Sequence, residues 1–418
     1  SCVKLLIFFL RYRNVNNLVQ NNTLLFCDDR HPKSLPSKNV NFNVPFTIRI
    51  RSSQNLFSSD FGILENLFER SNETLPKVQA WIDSGILKFS PEKIESIDNL
   101  LTNSASIDYR GFHATPGGEN SKMNNQIIEE MWNSFNNDDL DRRSYVLAIG
   151  GGAALDSVGY AAALAHRGIR IIRVPATTLS QADSGVGVKN AINHFGKKNW
   201  LGSFSVPWGV INDYGILESL SDRDFHCGFS EALKVFLLKS PEKFSWLCAH
   251  AFDINKRNPG ICKEAITQSV LFHLDHITKG GDPFESETAR PLDFGHWSAH
   301  KLEPLSKYEI RHGEAVAIGV ALDCIYSSKV HGLATDYCHK AIKCLADMGL
   351  PTFHPLMRNT DEILVGLEEF RQHLGGILTV TLIESPGHPI NVHSISQNIM
   401  RDSINELESL SQELGSSL

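Results

Sequence analysis

The spacing of apolar residues changes character partway along the chain. From Val44 short apolar runs dominate. Phe46-Thr-Ile-Arg-Ile-Arg51 alternates as an edge strand does, and Val78–Ile82 reads as a strand closed by the polar turn Asp83-Ser-Gly. Tyr145–Ile149 is a continuous apolar run that enters Gly150-Gly151-Gly152 directly, Ala153–His166 is Ala-rich and helical, and Ile169–Val174 is the next strand. Strand, helix and strand in that order predict a βαβ unit of a parallel sheet. After about Leu217 the period lengthens, and amphipathic helices are predicted over Ser230–Leu238, Lys263–Ile277, His312–Ser328 and Thr335–Met348. One late strand is predicted over Ile377–Leu382. The pattern predicts a nucleotide-type α/β domain over residues 43–215 and a mostly α-helical domain over 216–418, with the Asn-rich residues 1–42 as a leader or loose arm.

Composition narrows the class. The chain has 418 residues, 42% hydrophobic and 21% charged, with a net charge of −7. That apolar content excludes a disordered chain, and the acidic balance argues against a nucleic-acid partner, which would need a basic face. Val3–Leu10, the longest early apolar run, stops at Arg11, well short of the ~20 residues that span a bilayer. No small-residue cleavage pattern follows it. Eight cysteines are scattered without a Cys-x-x-Cys pair, as in reducing compartments. A cytoplasmic protein with no membrane contact is expected. The Asn-x-Thr triplets at Asn21 and Asn72 are no more than chance supplies and carry no reading.

Some polar groups could carry chemistry. Gly150, Gly151 and Gly152 end a strand and open a helix, so the backbone there can approach a diphosphate at the positive helix end; a packing turn accounts for the triplet equally well. Asp156, one turn on, is either a dipole partner or a group facing a cofactor. Thr177, Thr178, Gln181, Asp183, Ser184, Lys189, Lys198 and Asn199 follow a strand's carboxyl end, where open α/β sheets bind ligands; a solvated loop is the alternative. In the helical half, His296 and His300 share one helical face, His312-Gly-Glu314 opens another helix, and Glu231 precedes Lys234 on a third. Imidazoles with a carboxylate suit a divalent cation, most often Zn2+, although a His-x3-His pair alone is more often structural.

The order of these fragments carries a family likeness. Asp183…Gly187-Val-Lys189…Lys198-Asn199…Glu231-x-x-Lys234…Gly295-His296-x3-His300…His312-Gly-Glu314 resembles the 3-dehydroquinate synthase family of sugar phosphate cyclases, with continuous spacing from about Asp83 to Gly319. The resemblance implies a Rossmann-like NAD-binding α/β domain on a helical, metal-binding domain, with Glu231, His296 and His312 as ligands of Zn2+ or Co2+. Gly117-Gly118-Glu119 with Lys122 would hold the adenosine side of NAD, and Asp83 would be an earlier acidic contact. Gly150–Gly152 and Asp156 would sit at the diphosphate and nicotinamide, with Thr177, Thr178, Asp183, Ser184 and Ser219 completing the cofactor wall. Arg167, Lys189, Asn199, Lys234 and His300 would meet a small sugar phosphate substrate, with Lys198 bordering cofactor and substrate. Arg167 would reach a neighbouring subunit's site, so a homodimer is implied. The family reaction passes hydride from a secondary alcohol to NAD+, eliminates phosphate beside the new ketone, returns the hydride and closes a carbocycle by an aldol step. His300 would transfer the proton.

The sequence departs from 3-dehydroquinate synthase proper in ways that bear on substrate. Trp297 stands where that enzyme has Thr, Asp275 where it has a substrate-carboxylate Lys (Lys279 lies one turn on), and Phe370-Arg-Gln-His-Leu-Gly-Gly376 replaces its Lys-Lys pair. With Asp282-Pro-Phe-Glu285 and Ala289-Arg-Pro-Leu-Asp293, these features are similar to the cyclases that convert sedoheptulose 7-phosphate to 2-epi-5-epi-valiolone. Asp275 would repel an acidic substrate. A carbon–oxygen lyase acting on a neutral heptulose 7-phosphate is therefore expected. The alternatives are 3-dehydroquinate synthase itself and a metal-dependent polyol dehydrogenase of the same architecture.

Overall fold

Short runs rich in Val and Ile build the sheet. The computed structural model describes residues 39–416 apart from 71–73, 196, 281–283, 285–291 and 374–375. Within them, β1 (Arg49–Ser53), β2 (Lys77–Asp83), β3 (Asp108–Thr115), β4 (Tyr145–Gly150), β5 (Arg170–Pro175) and β8 (Gly209–Asp213) form an all-parallel sheet in the order β1-β8-β5-β4-β2-β3. β4 is buried throughout and β5 all but its first residue, as strands covered by helices on both faces must be. β1 is an edge strand, as its alternation predicts, beginning at Arg49 rather than Phe46.

The sheet grows from β2 outward to β3, then resumes on the other side of β2 with β4. Ligands of open α/β sheets bind at such a reversal, beyond the strands' carboxyl ends. Asp83 ends β2 and Gly150 ends β4, so the two flank that crevice. Helix α1 (Pro91–Thr102), α2 (Asn125–Asn137) and α3 (Gly152–Leu164) accompany the sheet. On α2, Ile128, Met131 and Phe135 recur at helical spacing and pack with Trp81 and Val146. The polar stretch after β5, which the sequence leaves as loop, is half a hairpin: β6 (Lys189–His194) pairs antiparallel with β7 (Lys197–Phe204), and β6 packs on α3.

After β8 the described chain is helical except for one hairpin, β9 (Val380–Ser385) with β10 (His388–Val392). The longer helices are α4 (Gly228–Lys239), α5 (Pro241–Ala249), α6 (Pro259–Lys279), α7 (His296–Leu305), α8 (His312–Val330), α9 (Thr335–Asp347), α10 (Thr360–His373) and α11 (Gln397–Leu414). α4, α6, α8 and α9 fall where periodicity predicts them, with α6 longer at both ends. α8 is buried from Gly313 to Ser327 on every face, which makes it the centre of this half. Each of its fully buried Leu, Ile and Val side chains contributes roughly 1.5–3 kcal/mol.

Residues 46–418 form one unit; of the N-terminal unit, residues 39–45 are described and carry no regular structure. The expectations for Val3–Leu10, Asn21 and Asn72 lie outside the described residues. The six described cysteines are free thiols, five of them buried. No described helix is long and apolar enough to cross a membrane.

Candidate metal and cofactor site

Close glycine contacts bring three helix starts together. Gly295, before α7, has φ +79°, and a Cβ on it would lie 2.6 Å from the Val320 nitrogen of α8. A Cβ on Gly319 would lie 1.9 Å from the Gly295 carbonyl oxygen, so only glycine at both positions lets α7 cross α8 so closely. Gly313, at the start of α8, touches the Cys227 backbone just before α4 in the same way. The consequence is convergence of Glu231 in the first turn of α4, His296 at the first position of α7 and His312 at the first of α8. One ligand atom from each lies within 4.8 Å of the others.

Hydrogen bonds fix which atoms face inward. His296 Nδ1 lies 3.1 Å from the Phe294 carbonyl oxygen, and His312 Nδ1 lies 3.1 Å from Glu303 Oε2. Both acceptors require N–H at Nδ1, which leaves the lone pair of each ring on Nε2. These Nε2 atoms stand 3.5 and 3.8 Å from Glu231 Oε1. Glu231 is fully buried, and neither of its oxygens has a hydrogen-bond partner; Lys234 Nζ, 2.5 Å from Oε2, is an ion pair off hydrogen-bond alignment. Lone pairs of two imidazoles and a buried carboxylate facing one another repel unless a cation lies among them. The donor set therefore fits a divalent metal with an open position.

Charge around this point is arranged in layers. Burial works against ionised Glu231, but Lys234 and His296 together hold the carboxyl below its usual range. Asp183 is likewise pulled down against burial, chiefly by His273, whose Nδ1 lies 2.8 Å away. Burial, then His296 and Lys198, push His300 well below the usual imidazole value, so it is neutral and can accept a proton. Its ring centroid lies 5.4 Å from that of His296 and 5.9 Å from that of His312. Lys198 sits between Glu303, at 2.5 Å, and Glu119, at 3.5 Å. Glu303 is held well below the usual carboxylate range despite burial, first by Lys198 and then by His312.

The glycine turn faces the crevice. A Cβ on Gly150 would meet Asp83 Cβ at 3.1 Å, one on Gly151 would meet Thr177 Cγ2 at 3.5 Å, and one on Gly152 would meet the Ser184 hydroxyl at 2.6 Å. A Cβ on Gly117 would lie 2.8 Å from Asp83 Oδ1. Asp83 is thus packed against bare backbone from both loops, which admits no side chain at Gly117 or Gly150. Asp156 pairs with Lys122 at 2.5 Å across the start of α3.

Residues 112–227 match the family model described as 3-dehydroquinate synthase N-terminal, and residues 228–369 the one described as 3-dehydroquinate synthase C-terminal. A 3-dehydroquinate synthase of Dehalococcoides mccartyi is 34% identical over 307 residues, covering 72% of this chain and 81% of that protein. One from Halorhodospira halophila is 30% identical over 283 residues, 67% and 79% of the two. The chain belongs to the 3-dehydroquinate synthase family. Among solved structures, 2-epi-5-epi-valiolone synthase ValA of Streptomyces hygroscopicus subsp. jinggangensis 5008, with NAD+ and Zn2+ bound, aligns at TM-score 0.78 and 24% identity over 89% of this chain and 99% of that one. A 2-deoxy-scyllo-inosose synthase complexed with carbaglucose-6-phosphate, NAD+ and Co2+ gives 0.70 at 21% identity over 85% and 96%. A probable glycerol dehydrogenase of Sinorhizobium meliloti 1021 gives 0.56 at 17% identity over 87% and 97%. At these identities the structural likeness establishes the fold alone.

Thr178 and Ser219, which the family likeness assigns to the site, use their side chains within the fold. The Thr178 hydroxyl donates to the Phe225 carbonyl at 2.7 Å and accepts from the Gly228 N–H at 3.1 Å, so it braces the start of α4. Ser219 is exposed and donates to the Ile216 carbonyl within its own turn. Arg167 lies on an exposed turn with φ +63°, at the far end of α3 from Gly152 and therefore about 20 Å from the glycine turn. Lys189 is exposed at the start of β6, and Asn199, with φ +54°, donates its N–H to Asn193 at 2.8 Å. Asp275 is exposed and pairs with Lys279 at 2.8 Å, and the α6 residue beside Asp183 is His273. Trp297 is buried, its indole donating to Asp323 at 2.9 Å. Arg371 pairs with Glu368 and closes the end of α10 on the Gly376 carbonyl. Of the other distinguishing segments, Phe284, Leu292 and Asp293 fall within the described residues; the side chain of His373 does not.

The sequence reading missed Glu303, Asp323, Arg173 and His273. Glu303 had a signal: it follows His296 and His300 at seven and three residues, on the same helical face. Arg173, fully buried on β5, donates to the Gly187 carbonyl at 2.9 Å and to Asn190 Oδ1 at 2.6 Å, holding the segment between Asp183 and Lys189. No local pattern marks such a role.

Proposed function

We propose that this chain is an NAD- and divalent-metal-dependent sugar phosphate cyclase, a lyase that eliminates phosphate from a heptulose 7-phosphate and closes a carbocycle, as 2-epi-5-epi-valiolone synthase does. The observation that carries this reading is the convergence of two imidazole Nε2 atoms on the buried carboxylate of Glu231. NAD+ with Zn2+ in ValA, and NAD+ with Co2+ in the inosose synthase, support the pairing of cofactors. Glu231, His296 and His312 would hold the cation. Asp83, Glu119, Lys122, Gly150, Gly151, Gly152, Asp156, Thr177, Asp183 and Ser184 would hold NAD. Bound there, the two groups supply a reversible hydride acceptor and a Lewis acid.

The chain's own residues do the rest. Neutral His300 takes the proton from the acidified carbon at an imidazole nitrogen. Lys234, which Glu231 and Asp183 keep charged against burial, offers a donor to a substrate oxygen at the same point. Lys189 and Asn199, with Arg167 from the second subunit of a cytoplasmic homodimer, would grip the phosphate dianion. Lys198, already between two carboxylates, would hold the hairpin against α7 beside the cofactor.

A neutral substrate is favoured by α6, which turns the imidazole of His273 toward Asp183 while pairing Lys279 with Asp275. The second reading, 3-dehydroquinate synthase, is favoured by the names of relatives at 30–34% identity. Purified protein with NAD+ and metal, offered sedoheptulose 7-phosphate and the acidic heptulosonate phosphate in parallel, separates them by phosphate release. Turnover of the acidic substrate alone would overturn the proposal. Stoichiometric NADH accumulation on a polyol would instead point to a dehydrogenase.

A further inference from the structure

We propose that Glu303 is a positioning residue that fixes His312 as a metal ligand and ties that ligand to Lys198 of the β6–β7 hairpin. The inference rests on the metal reading above. Glu303 lies on the face of α7 that carries His296 and His300, and it is 2% exposed. Its Oε2 lies 3.1 Å from His312 Nδ1 and its Oε1 2.5 Å from Lys198 Nζ. Lys198 in turn lies 3.5 Å from Glu119, which accepts a hydrogen bond from Asn193 of β6. One buried carboxylate thus joins a ligand at the start of α8 to the hairpin and, through Glu119, to the loop after β3.

His300, Glu303 and His312 also bring ligand atoms within 4.8 Å of one another. Both oxygens of Glu303, however, already have hydrogen-bond partners, whereas Glu231 has the Lys234 ammonium at Oε2 and turns Oε1 to the two imidazole Nε2 atoms. Glu231 is therefore the carboxylate left for a cation, and Glu303 acts one step behind it. By accepting from Nδ1–H it holds the His312 lone pair on Nε2 and fixes the ring plane. Lys198 supplies the charge without which a buried carboxylate beside a metal ligand would stand unpaired. Histidine ligands oriented in this way lose about 10–100-fold in metal affinity when the carboxylate is removed.

The test is Co2+ titration of the metal-stripped full chain, read by calorimetry and by the visible spectrum of the bound ion. Glu303→Gln is expected to bind Co2+ about 10–100-fold more weakly than wild type, with a shifted spectrum. It should also melt lower, because Lys198 has lost a partner. Glu303→Gln with Lys198→Met should regain the melting temperature but not the affinity, and Lys198→Met alone should lose less affinity than Glu303→Gln, because the Glu303 carboxylate still faces His312. Wild-type affinity in Glu303→Gln would overturn the proposal. So would affinity that returns with stability in the double variant, since Glu303 would then act only through Lys198. Should Glu303→Gln not fold, the double variant measured against Lys198→Met makes the same comparison. Wild-type protein that binds no Co2+ would instead overturn the metal reading itself.

Discussion

Trp297→Phe isolates the hydrogen bond that fixes the turn before His296. The Trp297 indole N–H donates to Asp323 Oδ1 at 2.9 Å, and the Gly295 N–H donates to Oδ2 at 2.9 Å. Asp323 is fully buried, and burial pushes its carboxyl from 3.8 up to about 7 despite those donors. A carboxyl raised in the folded state adds stability that is fully present below its unfolded value and is lost as pH climbs through about 7. The full swing is on the order of 4 kcal/mol. In the variant the carboxylate keeps one donor of two, so its folded value climbs further. At about pH 5.5, with the carboxyl protonated, the variant loses a neutral bond worth about 1 kcal/mol and gains a cavity costing about 1–2 kcal/mol. At about pH 8.5 the lost bond is to a charge, about 1.5–3 kcal/mol, with the cavity cost unchanged. Urea unfolding at the two pH values should show a destabilisation about 0.5–2 kcal/mol larger at the higher one. Adding Asp323→Asn should flatten that difference, because no carboxyl remains to titrate. A Trp297→Phe cost that does not change with pH would refute the reasoning.

His296→Ala should lose bound metal and turnover together, measured by metal content and by phosphate release; retained metal would move the cation elsewhere. Lys189→Ala, at an exposed position at the start of β6, should keep metal and fold but lose turnover, and near-wild-type kinetics would remove it from the substrate site. Arg173→Met strips donors from the Gly185 and Gly187 carbonyls and from Asn190 Oδ1, and should cost about 3–5 kcal/mol in urea unfolding. A cost below about 1 kcal/mol would show that the loop holds itself.

Long helices were legible as extended apolar stretches, but α8, buried from Gly313 to Ser327, and α4, buried from Gly228 to Leu238, lack the polar face that an amphipathic reading expects. The outer strand β3 was not legible, since alternate exposure leaves Tyr109 and Phe112 among polar residues, and β8 carries only Val210 and Ile211. The hairpin went unread for a related reason: β7 is nowhere fully buried, so its polar residues look like loop. Motif order singled out Glu231, His296 and His312, and the structure brings them together because each lies in the first turn of a helix beside a glycine that admits a close crossing. The groups behind them, Glu303 excepted, meet across chain distances that leave no periodic trace.

Asp275 shows what spacing alone omits. Two residues along a helix turn it by about 200°, so His273 and Asp275 point to nearly opposite sides of α6. Counting back from His296 reaches Asp275 by number, and its exposure and its Lys279 partner are what the structure adds. In this member the phase brings His273 to Asp183 and sends Asp275 to Lys279 at the surface. Discrimination by charge therefore has to be sought on the His273 side of α6. There a new cation would also have to compete for Asp183, which His273 and Lys234 already hold below its usual value against burial. An acidic substrate would need to draw one of those partners away. A neutral one leaves the Asp183 pairing as it stands.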